Sequence, residues 1–377
     1  PRDRRDRRAQ GNRHGAAKAP NGRYQSFAEV GADLRQFARP SSAATGRPGT
    51  GLSGTAGSEA VAASGRTPYV GREAERADAR QFLDRLVTSG QGGLLFLGGE
   101  PGVGKTRLAE EVLAEARQRG CLSLTGRCYE AEGAPPFIPW VEIVERSVRM
   151  APDAFRETLG ESASEVARLV PSLRQRIDDI PAPVELPAAQ QRHYLFTNFL
   201  AFIERGAHTT PHVLLLDDLH WADQSTLHLL EHIAPHLGEM PMVIVGTYRD
   251  VDLDVARPFP KTLETLTRQR LARKLALKRL PEGDVTEILA ALGGQAPPRE
   301  LAAIIYRETE GNPFFVEEVF QHLFEEGRLF GDDGQWLSDL DAEALDVPEG
   351  IRLVLGRRIG WCRMPGLHAR EWLSVDD

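Results

Sequence analysis

The sequence predicts an α/β fold, a three-layer arrangement in which a parallel sheet lies between helices and a helical lid subdomain follows. Three apolar segments, at 94–97, 213–216 and 242–247, predict strands. Continuous apolar runs of this kind are typical of parallel strands that are buried on both faces. The first two runs each precede apolar residues at helical spacing, which is the order of strand and helix in α/β proteins. Alternation over 121–126 predicts a further strand between them.

Composition excludes several classes of protein. The 377 residues, 41% hydrophobic and 27% charged, are typical of a soluble globular chain of about two or three domains. The net charge of -8 gives no general attraction to nucleic acid or to anionic lipid. The three cysteines contain no C-x-x-C pair, which argues against a zinc knuckle, and no apolar run is long enough for a membrane helix. A cytoplasmic location is therefore expected.

The first 68 residues are predicted to lie outside the main domain. Residues 1–21 are predicted to form a disordered basic tail, and 22–39 an isolated helix with the capping box Ser26-x-x-Glu29. Residues 40–68, rich in Gly, Ser and Ala, are predicted to form a flexible linker. The segment 22–34 resembles the last helix of bacterial Ser/Thr protein kinase domains. Because the sequence contains no H-R-D, D-F-G or glycine-rich kinase loop and no cyclase motif, we do not expect kinase or cyclase activity.

The segment Gly99-Glu100-Pro101-Gly102-Val103-Gly104-Lys105-Thr106 matches the phosphate-binding pattern G-x-x-x-x-G-K-[ST]. It joins the first apolar strand to the helical segment that begins at Arg107, which is the context that the motif requires. Backbone N–H groups at such a helix N-terminus bind phosphate, the lysine adds charge, and the threonine hydroxyl can ligate Mg²⁺. The predicted nucleotide-binding residues of this loop are Gly99, Gly102, Val103, Gly104, Lys105, Thr106 and Arg107.

Two carboxylates end the second apolar run, at Asp217 and Asp218. The carboxyl end of a parallel strand lies beside the phosphate loop in such folds, so Asp217 is predicted to take part in the Mg²⁺ shell with Thr106. Asp218 is predicted to polarise the attacking water, with Lys105 as a further catalytic residue. Asp223 is predicted to cap the following helix, and His220 and Trp221 to pack rather than to react.

Arg249 follows the third apolar run and should emerge at the same edge of the sheet. There it would lie near a γ-phosphate, as a third catalytic residue. The alternative, a salt bridge to Asp250 or Asp252, stays open from the sequence alone.

The rest of the chain is predicted to be largely helical. Helices are expected over 281–292, 299–308 and 314–326, then a hairpin around Asp333-Gly334 and a last helix from about Pro348. The predicted domain bounds are 69–272 for the α/β domain, 273–360 for the lid and the start of a further domain, and 361–377 for an unstructured end.

The order of the motifs resembles the AAA-type module of bacterial signal-transduction ATPases with numerous domains, as found in LuxR-type regulators and in fusions similar to soluble adenylyl cyclase. The resemblance covers about 69–359 and is carried by motifs at 70–73, 99–106, 214–223, 246–250, 311–315 and 356–358. It implies that Gly71 and Arg72 border the base and ribose, that Arg249 is the sensor, and that Pro313 packs on the base.

The resemblance and the motifs together predict an ATP-binding regulatory switch with slow Mg²⁺-dependent hydrolysis. The expected ligands are ATP or ADP and Mg²⁺, the expected partner is another protein or a fused output domain, and neither membrane nor nucleic acid is indicated. No N-K-x-D guanine motif occurs, which favours ATP over GTP. The alternatives are an oligomeric AAA motor or DNA-loading ATPase, for which Arg357-Arg358 would be the finger, or an inactive fragment of a kinase–ATPase fusion.

Overall fold

The computed structural model describes residues 69–130, 135–150, 152–250, 257–331 and 333–337, with Pro152 and Ala189 described by backbone only. All of them belong to one compact unit, Thr55–Asp377. The predicted tail, isolated helix, linker and last helix, together with Asp252 and Arg357-Arg358, lie outside the described residues.

The sheet has five strands in the order β2-β3-β4-β1-β5, and every neighbouring pair is parallel. The predicted α/β fold with a parallel sheet is therefore confirmed. The register aligns the carboxyl ends of the strands, because Gly99 is paired with Arg249 and Arg127 with Asp217. The strands are β1 (Gly93–Gly99), β2 (Leu122–Arg127), β3 (His212–Asp217), β4 (Met242–Arg249) and β5 (Ala272–Leu277).

Helices cover both faces of the sheet. The helices of this α/β part are α1 (Glu73–Ser89), α2 (Lys105–Gln118), α3 (Ile138–Met150), α4 (Pro152–Leu159), α5 (Ala163–Leu169), α6 (Ala188–Thr209), α7 (Gln224–Ile233) and α8 (Phe259–Arg268). Side chains of α1 and α2 form one core cluster with Leu95 and Leu97 of β1, whereas α3 to α8 form the other with Leu94 and Phe96. Alternate residues of β1 thus point to opposite faces, and both faces are buried, as the apolar run predicted.

A helical lid follows the sheet. It consists of α9 (Glu282–Gly293), α10 (Arg299–Thr309) and α11 (Pro313–Glu325), which share a separate core cluster. Asn312 caps α11 by accepting a hydrogen bond from the Phe314 N–H, and Pro313 occupies the first turn, where no N–H is needed. The predicted hairpin is present as an antiparallel bridge between Phe330 and Trp336.

One strand was missed by the sequence analysis. β5 precedes the helices predicted beyond residue 281, and a domain boundary after residue 272 falls within this strand. Only Leu275 and Leu277 of β5 are buried, because it is an edge strand, and it therefore lacks the apolar run of a central strand. Pro139 lies in the first turn of α3, where proline is tolerated.

Candidate phosphate-binding site

The phosphate loop joins β1 to α2 in a conformation that requires glycine. Gly102 and Gly104 have φ angles of 79° and 99°. These values lie in the left-handed region, which is disfavoured for residues other than glycine. Gly104 is the N-cap residue of α2, so the N–H groups of the first turn of the helix face the loop.

Lys105 is buried and folds back on its own loop. Its Nζ donates to the carbonyl oxygens of Gly99 at 2.9 Å and Glu100 at 2.7 Å. Burial, followed by the nearby Arg249 guanidinium, lowers the pKa of Lys105 to about 8. The ammonium group is therefore held at the mouth of the loop.

The Asp217 carboxylate is fully buried and accepts hydrogen bonds on both oxygens. Thr106 and Thr247 donate their hydroxyl protons to Oδ1 at 3.0 and 2.6 Å. Arg127 donates from Nε and from a terminal nitrogen to Oδ2 at 3.1 and 2.7 Å. The predicted metal residues Thr106 and Asp217 are thus brought together, and Arg127 and Thr247 are partners that the sequence analysis missed.

Asp218 and Arg249 both face the cleft beside the loop. Asp218 has a left-handed backbone, with φ 60°, and its N–H donates to the Thr247 hydroxyl at 2.9 Å. Burial and the adjacent Asp217 raise the pKa of the Asp218 carboxyl. The deeply buried His220 has one ring nitrogen 3.9 Å from the Asp218 carboxylate and no hydrogen-bond partner among the residues that the structure describes.

The chain before α1 closes one side of the site. Arg72 is only 8% exposed and donates to the Val103 carbonyl of the phosphate loop at 2.9 Å. A Cβ added at Gly71 would clash with the Asp284 carboxylate of α9 in its present position. These contacts place Arg72 in the wall of the cleft and Gly71 behind it.

The lid contacts the phosphate loop directly. Asn312 donates from Nδ2 to the Pro101 carbonyl at 3.1 Å, and the Phe314 N–H donates to the Gly102 carbonyl at 3.3 Å. Arg279 pairs with Glu100 of the loop and with Glu310 of the lid. The loop is therefore shared between the α/β part and the lid.

These elements enclose a cleft of about 380 Å³, which lies in the range of small-molecule sites. Its walls come from the chain before α1, the phosphate loop and first turn of α2, the sheet edge, and the lid. The lining residues are Tyr69, Val70, Arg72, Pro101, Gly102, Val103, Gly104, Lys105, Thr106, Arg107, Asp218, Arg249, Leu280, Ile288, Pro313, Phe314 and Glu317.

Most of the predicted site residues line this one cleft, and three do not. Gly71, Gly99 and Asp217 are adjacent to the walls rather than in them. Two missed residues, Asn312 and Arg127, had weak signals in the sequence. Asn312 lies in the helix stop at 311–313, and Arg127 follows a predicted strand.

The donors at Thr106 and Asp217 fit Mg²⁺, which prefers hard oxygen ligands and keeps several waters or phosphate oxygens. Within the described ranges, no group of three or more His, Cys, Asp or Glu residues could hold a metal ion by itself. A magnesium ion at this position would therefore draw the rest of its ligands from phosphate and water.

Comparison with protein families identifies the same part of the chain. The model of the AAA ATPase domain matches residues 68–245, which contain the phosphate loop, β3 and the first half of β4. A curated relative, an uncharacterised protein of Rhizobium meliloti (strain 1021), is 26% identical over 280 residues. That alignment covers 67% of this chain but only 25% of the relative, so the chain spans about a quarter of the relative's length.

Solved structures with a similar layout have low sequence identity to this chain. A signal transduction ATPase with numerous domains from Pyrococcus horikoshii, which has a tetratricopeptide repeat sensor, is 19% identical, with a TM-score of 0.38 over 69% of this chain and 33% of that chain. AMPPCP-bound DnaA from Aquifex aeolicus is 13% identical, with a TM-score of 0.39 over 69% and 64% of the two chains. Drosophila ORC bound to DNA is 15% identical, with a TM-score of 0.43 over 89% and 74%.

In the part of the chain that the structure describes, no helix combines the length and apolarity needed to cross a bilayer.

Proposed function

We propose that this chain binds ATP and Mg²⁺ in the cleft, hydrolyses the nucleotide slowly, and uses the nucleotide state to set the position of the lid. The nucleotide-binding unit would comprise the α/β part from residue 69 through β5 together with the lid helices α9 to α11. The contact between lid and phosphate loop carries this proposal. The carbonyls of Pro101 and Gly102 accept hydrogen bonds from Asn312 and Phe314. A change in the loop conformation would therefore alter the hydrogen bonds that hold the lid.

Binding would rest on the loop and on the positive side chains of Lys105 and Arg72. The N–H groups at the start of α2 and the Lys105 ammonium would hold phosphate oxygens, and Lys105 would have to exchange the Gly99 and Glu100 carbonyls for them. Arg72 at the wall would lie near the ribose and base, as would Pro313. The apolar side chains of Leu280 and Ile288 line the same side of the cleft and suit a planar base.

Hydrolysis would rest on Asp218 and Arg249, which face the cleft beside the loop. Asp218 would orient the attacking water, and Arg249 would contact the γ-phosphate. Mg²⁺ would neutralise charge on the phosphate oxygens, with Thr106 and Asp217 holding it. Loss of the γ-phosphate would remove the Arg249 contact and so favour a different loop and lid arrangement.

Nucleotide binding can be tested by thermal unfolding with ATP, ADP and GTP in the presence of Mg²⁺. ATP at about a hundredfold over its dissociation constant should stabilise the protein by about 2.7 kcal/mol. Lys105→Ala should remove most of this increment, whereas Lys261→Ala, at an exposed site on α8, should keep it. GTP should stabilise less than ATP. If no nucleotide stabilises the wild-type protein, the proposed function is wrong.

The regulatory role makes a separate prediction about assembly. A switch acting within one chain should keep the same mass with ADP and with a non-hydrolysable ATP analogue, and native mass spectrometry measures this. An ATP-dependent ring would instead support the oligomeric motor. In that case the charge at the active site would be completed by a neighbouring copy.

A further inference from the structure

The Arg127 guanidinium and the Asp217 carboxylate form an ion pair with two hydrogen bonds at the carboxyl ends of β2 and β3. Two nitrogens of Arg127 donate to one oxygen of Asp217, at 3.1 and 2.7 Å. The two residues are register partners in adjacent parallel strands, so the backbone itself brings them together. The carboxylate is fully buried, whereas about half of the Arg127 side chain is exposed.

Arg127 approaches Asp217 from outside the cleft. Among the described residues, those that line the cleft include Thr106 and Asp218 but not Arg127. The Arg127 backbone N–H donates to Glu142 of α3 at 3.0 Å, which anchors the end of β2 to that helix. Arg127 therefore contacts the acid residue without contacting the space that a nucleotide would fill.

We propose that Arg127 is a positioning residue that neutralises Asp217, so that nucleotide phosphates can bind in the cleft without a divalent cation. This inference rests on the proposed function. Because both Arg127 hydrogen bonds go to Oδ2, Oδ1 of Asp217 accepts from Thr106 and Thr247. The bond to Oδ1 fixes the orientation of the Thr106 hydroxyl. Asp217 then acts on a metal ion mainly by orienting Thr106 and by binding the water around the ion.

The physical reason is charge. A buried carboxylate beside the phosphate loop repels a polyphosphate, and the low dielectric of the site strengthens that repulsion. A bound divalent cation would offset this repulsion. Here the Arg127 guanidinium supplies the positive charge. This group belongs to the chain itself and stays protonated at any pH of interest.

The test measures binding of a fluorescent N-methylanthraniloyl ADP with excess Mg²⁺ and with EDTA, in the wild type and in Arg127→Met. The wild-type protein should keep most of its affinity in EDTA. Arg127→Met should weaken binding in EDTA by about tenfold, because Asp217 is left uncompensated, and should change binding in Mg²⁺ by less than about threefold.

A double variant separates charge from structure. Arg127→Met combined with Asp217→Asn removes the repelling carboxylate, so its ratio of affinities in Mg²⁺ and EDTA should return to within about twofold of the wild-type ratio. A purely structural role for Arg127 would instead weaken both affinities equally and the double variant would not recover. The control is Arg156→Met, which breaks an exposed ion pair with Asp179 and should leave the ratio unchanged.

Several results would overturn the inference. One is an Arg127→Met protein whose affinity in EDTA is unchanged. Another is an equal loss of affinity in Mg²⁺ and in EDTA, which would mean that Arg127 has a structural role and does not act through its charge. If Arg127→Met fails to fold, Arg127→Lys keeps the charge with weaker geometry and should show an intermediate ratio. Failure of the wild type to bind either analogue would refute the proposed function itself, which is a separate outcome.

Discussion

Replacing Gly102 with alanine should release the lid from the phosphate loop. An added Cβ at this position would lie 2.8 Å from Asn312 Oδ1 and 2.9 Å from Phe314 Cβ, both of which belong to the lid. Gly104 is a matched control, because it also has a positive φ, yet a Cβ there would have no atom within 4 Å. The two variants therefore share the backbone strain and differ in the clash with the lid.

The magnitudes follow from these contacts. Each alanine should cost about 1–2 kcal/mol for its left-handed backbone. Gly102→Ala should cost about 1–3 kcal/mol more, because it disrupts the bonds from Asn312 Nδ2 to Pro101 and from the Phe314 N–H to Gly102, each worth about 0.5–1.5 kcal/mol net. Urea unfolding of nucleotide-free protein gives both values.

Hydrogen exchange of the Phe314 amide tests the cause. In the wild type this N–H is held by the Gly102 carbonyl and by the Asn312 side chain, so it should exchange slowly. Exchange should be faster in Gly102→Ala and unchanged in Gly104→Ala. Equal exchange in all three proteins would refute the claim that the clash separates the lid from the loop.

Three further variants test individual roles in the site. Arg249→Ala should weaken ATP binding by about 1.5–3 kcal/mol and spare ADP, as measured by calorimetric titration; an equal loss for both nucleotides would favour a salt-bridge role. Asp218→Asn should keep nucleotide affinity and lower the rate of phosphate release at least about tenfold, as expected for a group that acts only as the bond breaks. His220→Phe tests pH dependence: burial, then Arg249, lowers the pKa of His220 to about 3, while the unfolded chain takes up its proton near the ordinary value of about 6.5. Stability should therefore fall as pH decreases from about 6.5 toward about 3, by up to about 1.4 kcal/mol per unit, and urea unfolding of His220→Phe should lack this part of the slope.

The central part of the fold could be predicted because its signals are local. The apolar runs at β1, β3 and β4 identify strands that are buried on both faces, and the phosphate loop requires glycines and a lysine at fixed spacing. The cap at Asp223 was also predictable, and the structure shows its carboxylate accepting from the N–H groups of Ser225 and Thr226. Each of these features depends on residues that are close in sequence.

The missed features depend on residues that are distant in sequence. Arg127 reaches Asp217 only because β2 lies beside β3, and strand order is not encoded in either strand alone. The sequence around Asn312 indicates only an ordinary helix cap. Its other role, the hydrogen bond to the Pro101 carbonyl, joins residues 211 positions apart in the chain. The edge strand β5 was missed because Arg273 and Lys274 interrupt its apolar pattern where it faces solvent.

We propose that nucleotide state sets the position of the lid, and a distance measurement tests this most directly. Spin labels can be placed on exposed positions of α1 and α11, through Thr88→Cys and Gln321→Cys, after replacement of the three native cysteines. Pulsed electron resonance then reports the distance between the α/β part and the lid with ADP and with a non-hydrolysable ATP analogue. We expect two different distance distributions, and we expect Lys105→Ala to abolish the difference. Identical distributions with both nucleotides, in a protein shown to bind both, would contradict the proposed movement of the lid.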